Sequence, residues 1–327
     1  MTPTPAISII TPSFNQGAYI ERTIQSVLSQ GVTAIDYVVM DGGSSDTTVS
    51  ILKRYEGSLR WESARDRGQS HAINKGFRAT SGPVVGWLNS DDVYYPRALT
   101  KVLDFFADHP EVDVVYGDAD HIDEHDRYIE PYPTEPWSFE RLKELCFIPQ
   151  PATFLRRAVV DEHGGLDERL RYSMDYDYWF RLARRGARFA HLAEPLAATR
   201  LHPDAATLAQ RVACHAESNT VTRRHLGRTP DRWLLNYAHA VLEQDARRPL
   251  PRPLATWALA VVAIRAALRW NQAVTATMLV RLAAWSAADT YGSTARLVKR
   301  LLRQAQDERS GRAAHGEPVE PRTTSSG

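Results

Sequence analysis

The stretch ISIITPSFNQGAYIERTIQSVLSQGVTAIDYVVMDGGSSDTT, residues 7–48, reads as strand, loop, helix and strand, and it sets the fold class. Ile7–Ile10 and Tyr37–Met40 are short β-branched-rich runs bounded by turn-forming residues, as strands are. Between them Ile20, Ile24, Val27 and Leu28 recur at i, i+4, i+7 and i+8, one face of a helix that Gly31 closes. Runs at Val84–Leu88, Val112–Tyr116 and Ala152–Leu155 predict further strands. PRALTKVLDFF predicts a helix beginning near Pro96, with Leu99, Val102, Leu103 and Phe106 on one face. Strands alternating with helices imply an α/β domain with a mostly parallel sheet flanked by helices. Such sheets bind ligands at the carboxyl ends of their strands.

From about residue 205 the strand signals stop. Helical periodicity runs over Ala205–Arg224, Asp231–Ala246, Leu254–Trp270, Val274–Ala287 and Ser293–Gln304, punctuated by Pro230 and by PLPRP at 249–253. The expected organisation is an α/β domain over 1–210, a C-terminal α-helical region over 211–304 and a disordered tail over 305–327.

The 327 residues carry 40 Lys and Arg against 39 Asp and Glu, a net charge of +1 that hides an asymmetry. Residues 1–210 hold 22 basic and 30 acidic side chains, a net of −8, whereas 211–310 hold 16 and 7, a net of +9. The two parts therefore face different partners. With 43% hydrophobic and 24% charged residues the chain is an ordinary globular protein, which excludes a collagen, a coiled-coil rod and wholesale disorder. Cys146 and Cys214 form no C-x-x-C pair, so neither a disulfide scaffold nor a thiolate zinc site is expected. The N-terminus lacks a signal-peptide pattern, and no apolar run reaches the roughly 18–20 residues of a membrane span. These features predict a cytoplasmic protein.

Four segments carry chemistry. After the first strand, Thr11, Pro12 and Ser13 lead through a polar loop into a helix, an arrangement suited to a nucleotide or phosphate. After the second, Asp41 and Gly42 open a Gly-rich turn where a carboxylate accepts a base N–H; the dinucleotide fingerprint G-x-G-x-x-G is absent. The strand at 84–88 empties into Asn89, Ser90, Asp91 and Asp92, where adjacent carboxylates suit Mg²⁺ or Mn²⁺ shared with a pyrophosphate. In LRYSMDYDYWFRLARRG (170–186), Asp175 opens a helix as a candidate general base, while Asp177 reads as a dipole-favoured structural acid. Arg200 and His202 follow an expected edge strand. GDADHIDEHDRYI (117–129) reads as two short strands joined by a polar turn rather than as a metal cluster.

In this order the motifs resemble the GT-A-fold glycosyltransferases of family 2, over about residues 5–210. SIITPSFNQGAYIERTIQSVLSQ looks like the family's first strand and helix, and DYVVMDGGSSDTT is similar to its nucleotide-binding D-G-S-x-D-x-T segment. The resemblance implies a Rossmann-like GT-A sheet, a nucleobase (usually uracil) on Asp41, and Thr11, Pro12 and Ser13 lining the same pocket. RDRGQSHAINKGFRATSG supplies Asn74 and Gly76 at the family's N-x-G, with Ile73 where many members have Arg. NSDD stands in the place of the D-x-D metal motif with Asn89 for the first Asp. Metal binding is thus carried to Asp91 and Asp92, and sugar or diphosphate contact to Asn89, Arg200 and His202. In MDYD, Asp175 takes the place of the catalytic base and Met174 that of the family's Glu.

The implied activity is inverting transfer from a nucleotide-diphosphate sugar, with a UDP-sugar first, to a saccharide or lipid-linked acceptor in polysaccharide or lipid-linked oligosaccharide assembly. Two alternatives stand beside it: a catalytically inactive binding module of the same fold, and a sugar nucleotidyltransferase. The latter needs a basic Gly-rich loop that ITPSFNQG does not provide. Nucleic acid is not expected as a partner. For the basic helices two readings stay open, peripheral contact with anionic lipid at the inner face of the cell membrane and a solvated subdomain or homo-oligomer interface.

Overall fold

The computed structural model describes residues 5–203, 205–244 and 251–286. The expected α/β alternation is present from the start: β1 (Ile7–Ser13), α1 (Ile20–Leu28), β2 (Ile35–Asp41), α2 (Thr48–Arg54), β3 (Arg60–Ser63), α3 (Gln69–Ala79) and β4 (Val84–Trp87). The middle of the chain adds β5 (Val93–Tyr94), α4 (Ala98–Asp108), β6 (Val114–Ile122), β7 (Tyr128–Pro131), α5 (Phe139–Glu144) and, after a 3-10 turn at Gln150–Ala152, β8 (Thr153–Arg156). There follow α6 (Arg157–His163), α7 (Met174–Arg184), β9 (Phe189–Arg200), α8 (Ala206–Ala209), α9 (Arg211–Leu226), α10 (Asp231–Gln244), α11 (Arg252–Asn271) and a helix over 276–286. The expected helix over Ser293–Gln304 and the tail at 305–327 lie outside the described residues.

Nine strands form one sheet in the order β3-β2-β1-β4-β8-β6-β9-β5, with β7 paired to β6. Most of the ladder is parallel: β1 with β2 and β4, β2 with β3, and β6 with β9. The shorter β8, β5 and β7 pair antiparallel. β1 is buried along its whole length, because strands flank both its edges and helices cover both its faces. Continuous apolar runs rather than alternating ones mark such strands. β9, expected at an edge, instead lies between β6 and β5.

Two cores follow from the alternation of β1. Ile7 and Ile9 face α1 and α4 through Ile20, Ile24, Val27, Leu99, Val102 and Phe106. Ile10 faces the other side, where Phe77, Trp87 and Trp179 gather. Leu28, placed by periodicity on the buried face of α1, is 36% exposed because it lies at the helix's last turn. Gly76 lets α3 lie directly on β1: a Cβ there would come within 2.3 Å of Ile10 Cγ2.

The chain divides into two compact units, Met1–Ala240 and Val241–Gly327. The sequence reading placed the domain boundary near 210; the first unit instead extends through α9 and most of α10. Val221 of α9 and Trp233 of α10 join the core around Trp87 and Trp179, and polar contacts add to this. On α9, Arg224 and His225 contact Asp177 at 3.0 and 2.8 Å, and Trp233 of α10 donates from Nε1 to the Lys143 carbonyl at 3.2 Å. In the second unit Leu259, Ala263, Ala267, Met278 and Leu282 are buried.

Candidate active site

The carboxyl ends of β1, β2 and β4 meet at one edge of the sheet, and the polar loops singled out in the sequence all leave from there. Ser13 and Asp41 are register partners in neighbouring strands. Beyond them the two loops are stitched together. The Asn15 amide donates to Ser44 Oγ at 2.7 Å, Ser45 N donates to Asn15 Oδ1 at 2.9 Å, and Gly17 N donates to Asp46 Oδ2 at 2.8 Å. Gly17 is required by this approach, since a Cβ would sit 2.1 Å from Thr47 Oγ1.

Asp41 is 2% exposed and organises its own turn. It accepts from the Gly43 and Ser44 amides at 3.1 and 2.9 Å, and from the Ser44 and Ser63 hydroxyls at 2.5 and 2.6 Å. Thr11 is fully buried and pairs with the Tyr37 hydroxyl at 3.1 Å, while Ser13 Oγ is buried with no hydrogen-bond partner among the described residues. Two residues that the sequence reading passed over stand at the same loops. Phe14 presents its ring to solvent, 61% exposed, and the Asp66 carboxylate lies so close to Gly42 that a Cβ there would be 3.0 Å from Oδ2. The D-R-G preceding α3 was the available signal for Asp66.

Asn74, expected at the nucleotide, does something else. Its side-chain amide forms a two-way clamp on Leu166, donating to the carbonyl at 2.9 Å and accepting from the amide at 2.8 Å, and it donates to Glu168 Oε1 at 3.1 Å. It joins α3 to the loop before α7. A buried amide with these bonds made has little left for a ligand.

At the end of β4 the two adjacent carboxylates diverge. Asp92 turns inward, 2% exposed, and accepts from the Arg200 amide and from Asn89 Nδ2, both at 3.1 Å. Burial and the neighbouring Asp91 charge push its carboxyl well above the usual range. Asp91 remains more open, and its Oδ2 lies 3.1 Å from His202 Nε2. Of the expected Asp91/Asp92 ligand pair, Asp91 thus stands beside His202, whereas Asp92 faces Arg200 and Asn89. His202 rests against the Tyr19 ring, with centroids 4.6 Å apart. Among the described residues no three acidic, His or Cys side chains converge as a preformed metal site. Carboxylate oxygen and imidazole nitrogen nevertheless suit a divalent cation whose remaining positions come from phosphate oxygens.

Arg200, expected at the diphosphate, is 1% exposed and braces this turn from beneath. Its Nε donates to the Asp91 carbonyl at 2.8 Å, and its Nη1 to the Asp123 carbonyl at 2.9 Å and to Asp126 at 2.5 Å. Asn89 accepts from Gln69 Nε2 at 2.6 Å and so ties the turn to the start of α3.

The same first turn of α3 reaches the other half of the site, where Ser70 Oγ donates to the Leu170 carbonyl at 3.2 Å. α7 begins a few residues later. Asp175 in its first turn is half-buried; burial pushes its carboxyl up to about 6, opposed by the Tyr176 amide and reinforced by the charge of Glu217. Asp177 is buried among His225, Arg181 and Arg224, and despite desolvation these partners hold its carboxyl below the usual range. Its role is structural, as its position in the helix implied.

Residues 8–164 match the family model described as Glycosyl transferase family 2. Over 187 residues the chain is 30% identical to an uncharacterized glycosyltransferase of Mycobacterium tuberculosis, covering 56% of this chain and 71% of that one. It spans 60% or less of the length of four uncharacterized glycosyltransferases of Rickettsia species, at 29–32% identity. Among solved structures it resembles S. aureus TarS 1-349 in complex with UDP-GlcNAc, with a TM-score of 0.58 at 17% identity over 91% of this chain and 92% of that one. It also resembles the mannosyltransferase PcManGT of Pyrobaculum calidifontis in complex with GDP-Man and Mn²⁺, with a TM-score of 0.55 at 18% identity over 89% and 82%.

Proposed function

This chain belongs to glycosyltransferase family 2, and on that premise we propose that it moves a sugar from a nucleoside-diphosphate sugar, a UDP-sugar by our reading, to an acceptor hydroxyl with inversion at the anomeric carbon. The observation that carries the proposal is the pairing of two dissimilar poles. Asp91, just past β4, meets His202, just past β9, and a carboxyl raised to about 6 lies at the head of α7, with the first turn of α3 touching both the β4 turn and the segment before α7.

Asp91 and His202 would hold Mn²⁺ or Mg²⁺, and a cation there supplies charge that favours departure of the nucleoside diphosphate. Asp92, Arg200 and Asn89 fix the turn that carries Asp91. The loops at Ser13–Gly17 and Asp41–Asp46 surround the nucleoside, with Phe14 offering a ring face to the base. Asp175 accepts the proton of the acceptor hydroxyl as its oxygen attacks the anomeric carbon. The bond from that carbon to the diphosphate breaks with its electron pair leaving on the diphosphate. A base raised to about 6 is ionised at neutral pH yet more basic than an ordinary carboxylate. One displacement inverts the centre and needs no second carboxylate as nucleophile.

A saccharide or lipid-linked acceptor belongs to the same reading. So does a seat for the second unit on anionic lipid, supported by exposed Trp257, Val261 and Leu268 interleaved with Arg265 and Arg269 on α11.

Thermal unfolding of the full chain with UDP or GDP, each with and without Mn²⁺, tests the donor side. UDP with Mn²⁺ at a hundredfold over its Kd should add about 2.7 kcal/mol of stability. GDP should add less, and Asp91→Asn should remove the Mn²⁺-dependent part. A melting temperature that moves with neither nucleotide at millimolar concentration contradicts the proposal.

A further inference from the structure

Glu217 lies on α9, beyond the segment in which the sequence placed the chemistry, and its carboxylate faces the turn that starts α7. It accepts from three consecutive backbone amides: Arg171 at 2.9 and 3.1 Å, Tyr172 at 2.6 Å and Ser173 at 2.7 Å. Ser173, the N-cap of α7, makes no capping bond with its own side chain; its hydroxyl instead meets Ser218 Oγ at 2.9 Å. The orphan donors that open a helix are usually satisfied from within the same segment. Here a carboxylate from a helix more than forty residues further along the chain takes the donors of the preceding turn. An anion in this place is also favoured by the helix dipole.

We propose that Glu217 is a positioning residue for the base: its carboxylate fixes the turn 171–173 and so the start of α7, which carries Asp175. The inference rests on the reading of Asp175 as the base. The titratable groups facing Asp175 are Glu217 and Cys214 from α9, Cys146 after α5 and Tyr132 after β7, with Tyr176 beside it on α7. Burial pushes both thiols and both phenols up, Cys214 to about 11, so they stay neutral near pH 7. Glu217 is then the nearby charge that disfavours ionisation of Asp175.

The test needs no substrate. In the full-length protein the Asp175 carboxyl carbon is titrated by ¹³C NMR, its signal assigned by its loss in Asp175→Asn, and amide exchange is followed at Tyr172 and Ser173. In wild type the midpoint is expected at about 6. Glu217→Gln removes the charge but keeps the shape; the midpoint should fall, and both amides should exchange about tenfold faster. Glu217→Asp keeps the charge but shortens the reach, so exchange should quicken with little movement of the midpoint. This second variant also serves if Glu217→Gln does not fold. An unmoved midpoint in Glu217→Gln, or unchanged exchange in either variant, overturns the inference. Turnover by Asp175→Asn judges the underlying reading separately, since neither NMR measurement depends on activity.

Discussion

At the scale of single residues, the site is built from carboxylates that the fold treats in different ways. Asp41 is enclosed by four donors, Asp92 is turned inward, Asp177 is surrounded by cations, and Asp91 and Asp175 are left partly exposed. Asn89 illustrates the logic: where the family motif has Asp, its amide donates to Asp92, which a third carboxylate could not do without repulsion. Asp175 must be ionised to accept a proton. Burial lifts its carboxyl to about 6, so kcat/KM should rise about tenfold per pH unit below that value and level off above it. A limb centred near the ordinary carboxyl value, about 4, would contradict this environment. The positions of Asp41, Asp91 and Asp175, at strand ends and at a helix start, were legible in the sequence because each follows a recognisable strand or opens a helix. The tasks of Asn74, Arg200 and Asp92 were not, because their partners Leu166, Asp126 and Arg200 are separated from them by dozens of residues. No local pattern records such pairings.

At the scale of elements, β1, β2, β4 and α1 were readable because their apolar periodicity matches the faces they bury. GDADHIDEHDRYI likewise forms the strands β6 and β7 around a polar turn. β3 was missed: RWES is short, largely polar and pairs with β2 alone at the sheet edge. α3 was missed as a helix because Asn74 and Gly76 interrupt its apolar face for tertiary reasons, a clamp on Leu166 and close packing on Ile10. On α11, Leu254, Trp257, Val261 and Leu268 are exposed at near-helical spacing with Arg265 and Arg269 among them. Among the described residues no helix is long and apolar enough to cross a membrane, so lipid contact by α11 would be lateral. Full-length protein should co-sediment with phosphatidylglycerol vesicles and not with phosphatidylcholine vesicles, and Trp257→Asp should weaken it severalfold. Equal recovery in the supernatant with both vesicle types would rule lipid contact out.

For the whole molecule, the near-zero net charge resolves into an acidic α/β part and a basic helical part whose border is not where composition changes. The first compact unit runs to Ala240, and within it α9 caps the turn before α7 through Glu217 and pairs with Asp177 through Arg224 and His225. A chain truncated near residue 210 would lose the cap as well as the appendage, so the two cannot be dissected by that cut. The central claim is that the site at the carboxyl ends of the strands transfers a sugar with Asp175 as base. It is tested most directly by comparing full-length wild type and Asp175→Asn for release of UDP from a UDP-sugar in the presence of an acceptor, with UDP affinity measured in parallel. Turnover should fall about a thousandfold in the variant while the Kd for UDP stays within about twofold. Turnover by Asp175→Asn near the wild-type rate would contradict the account.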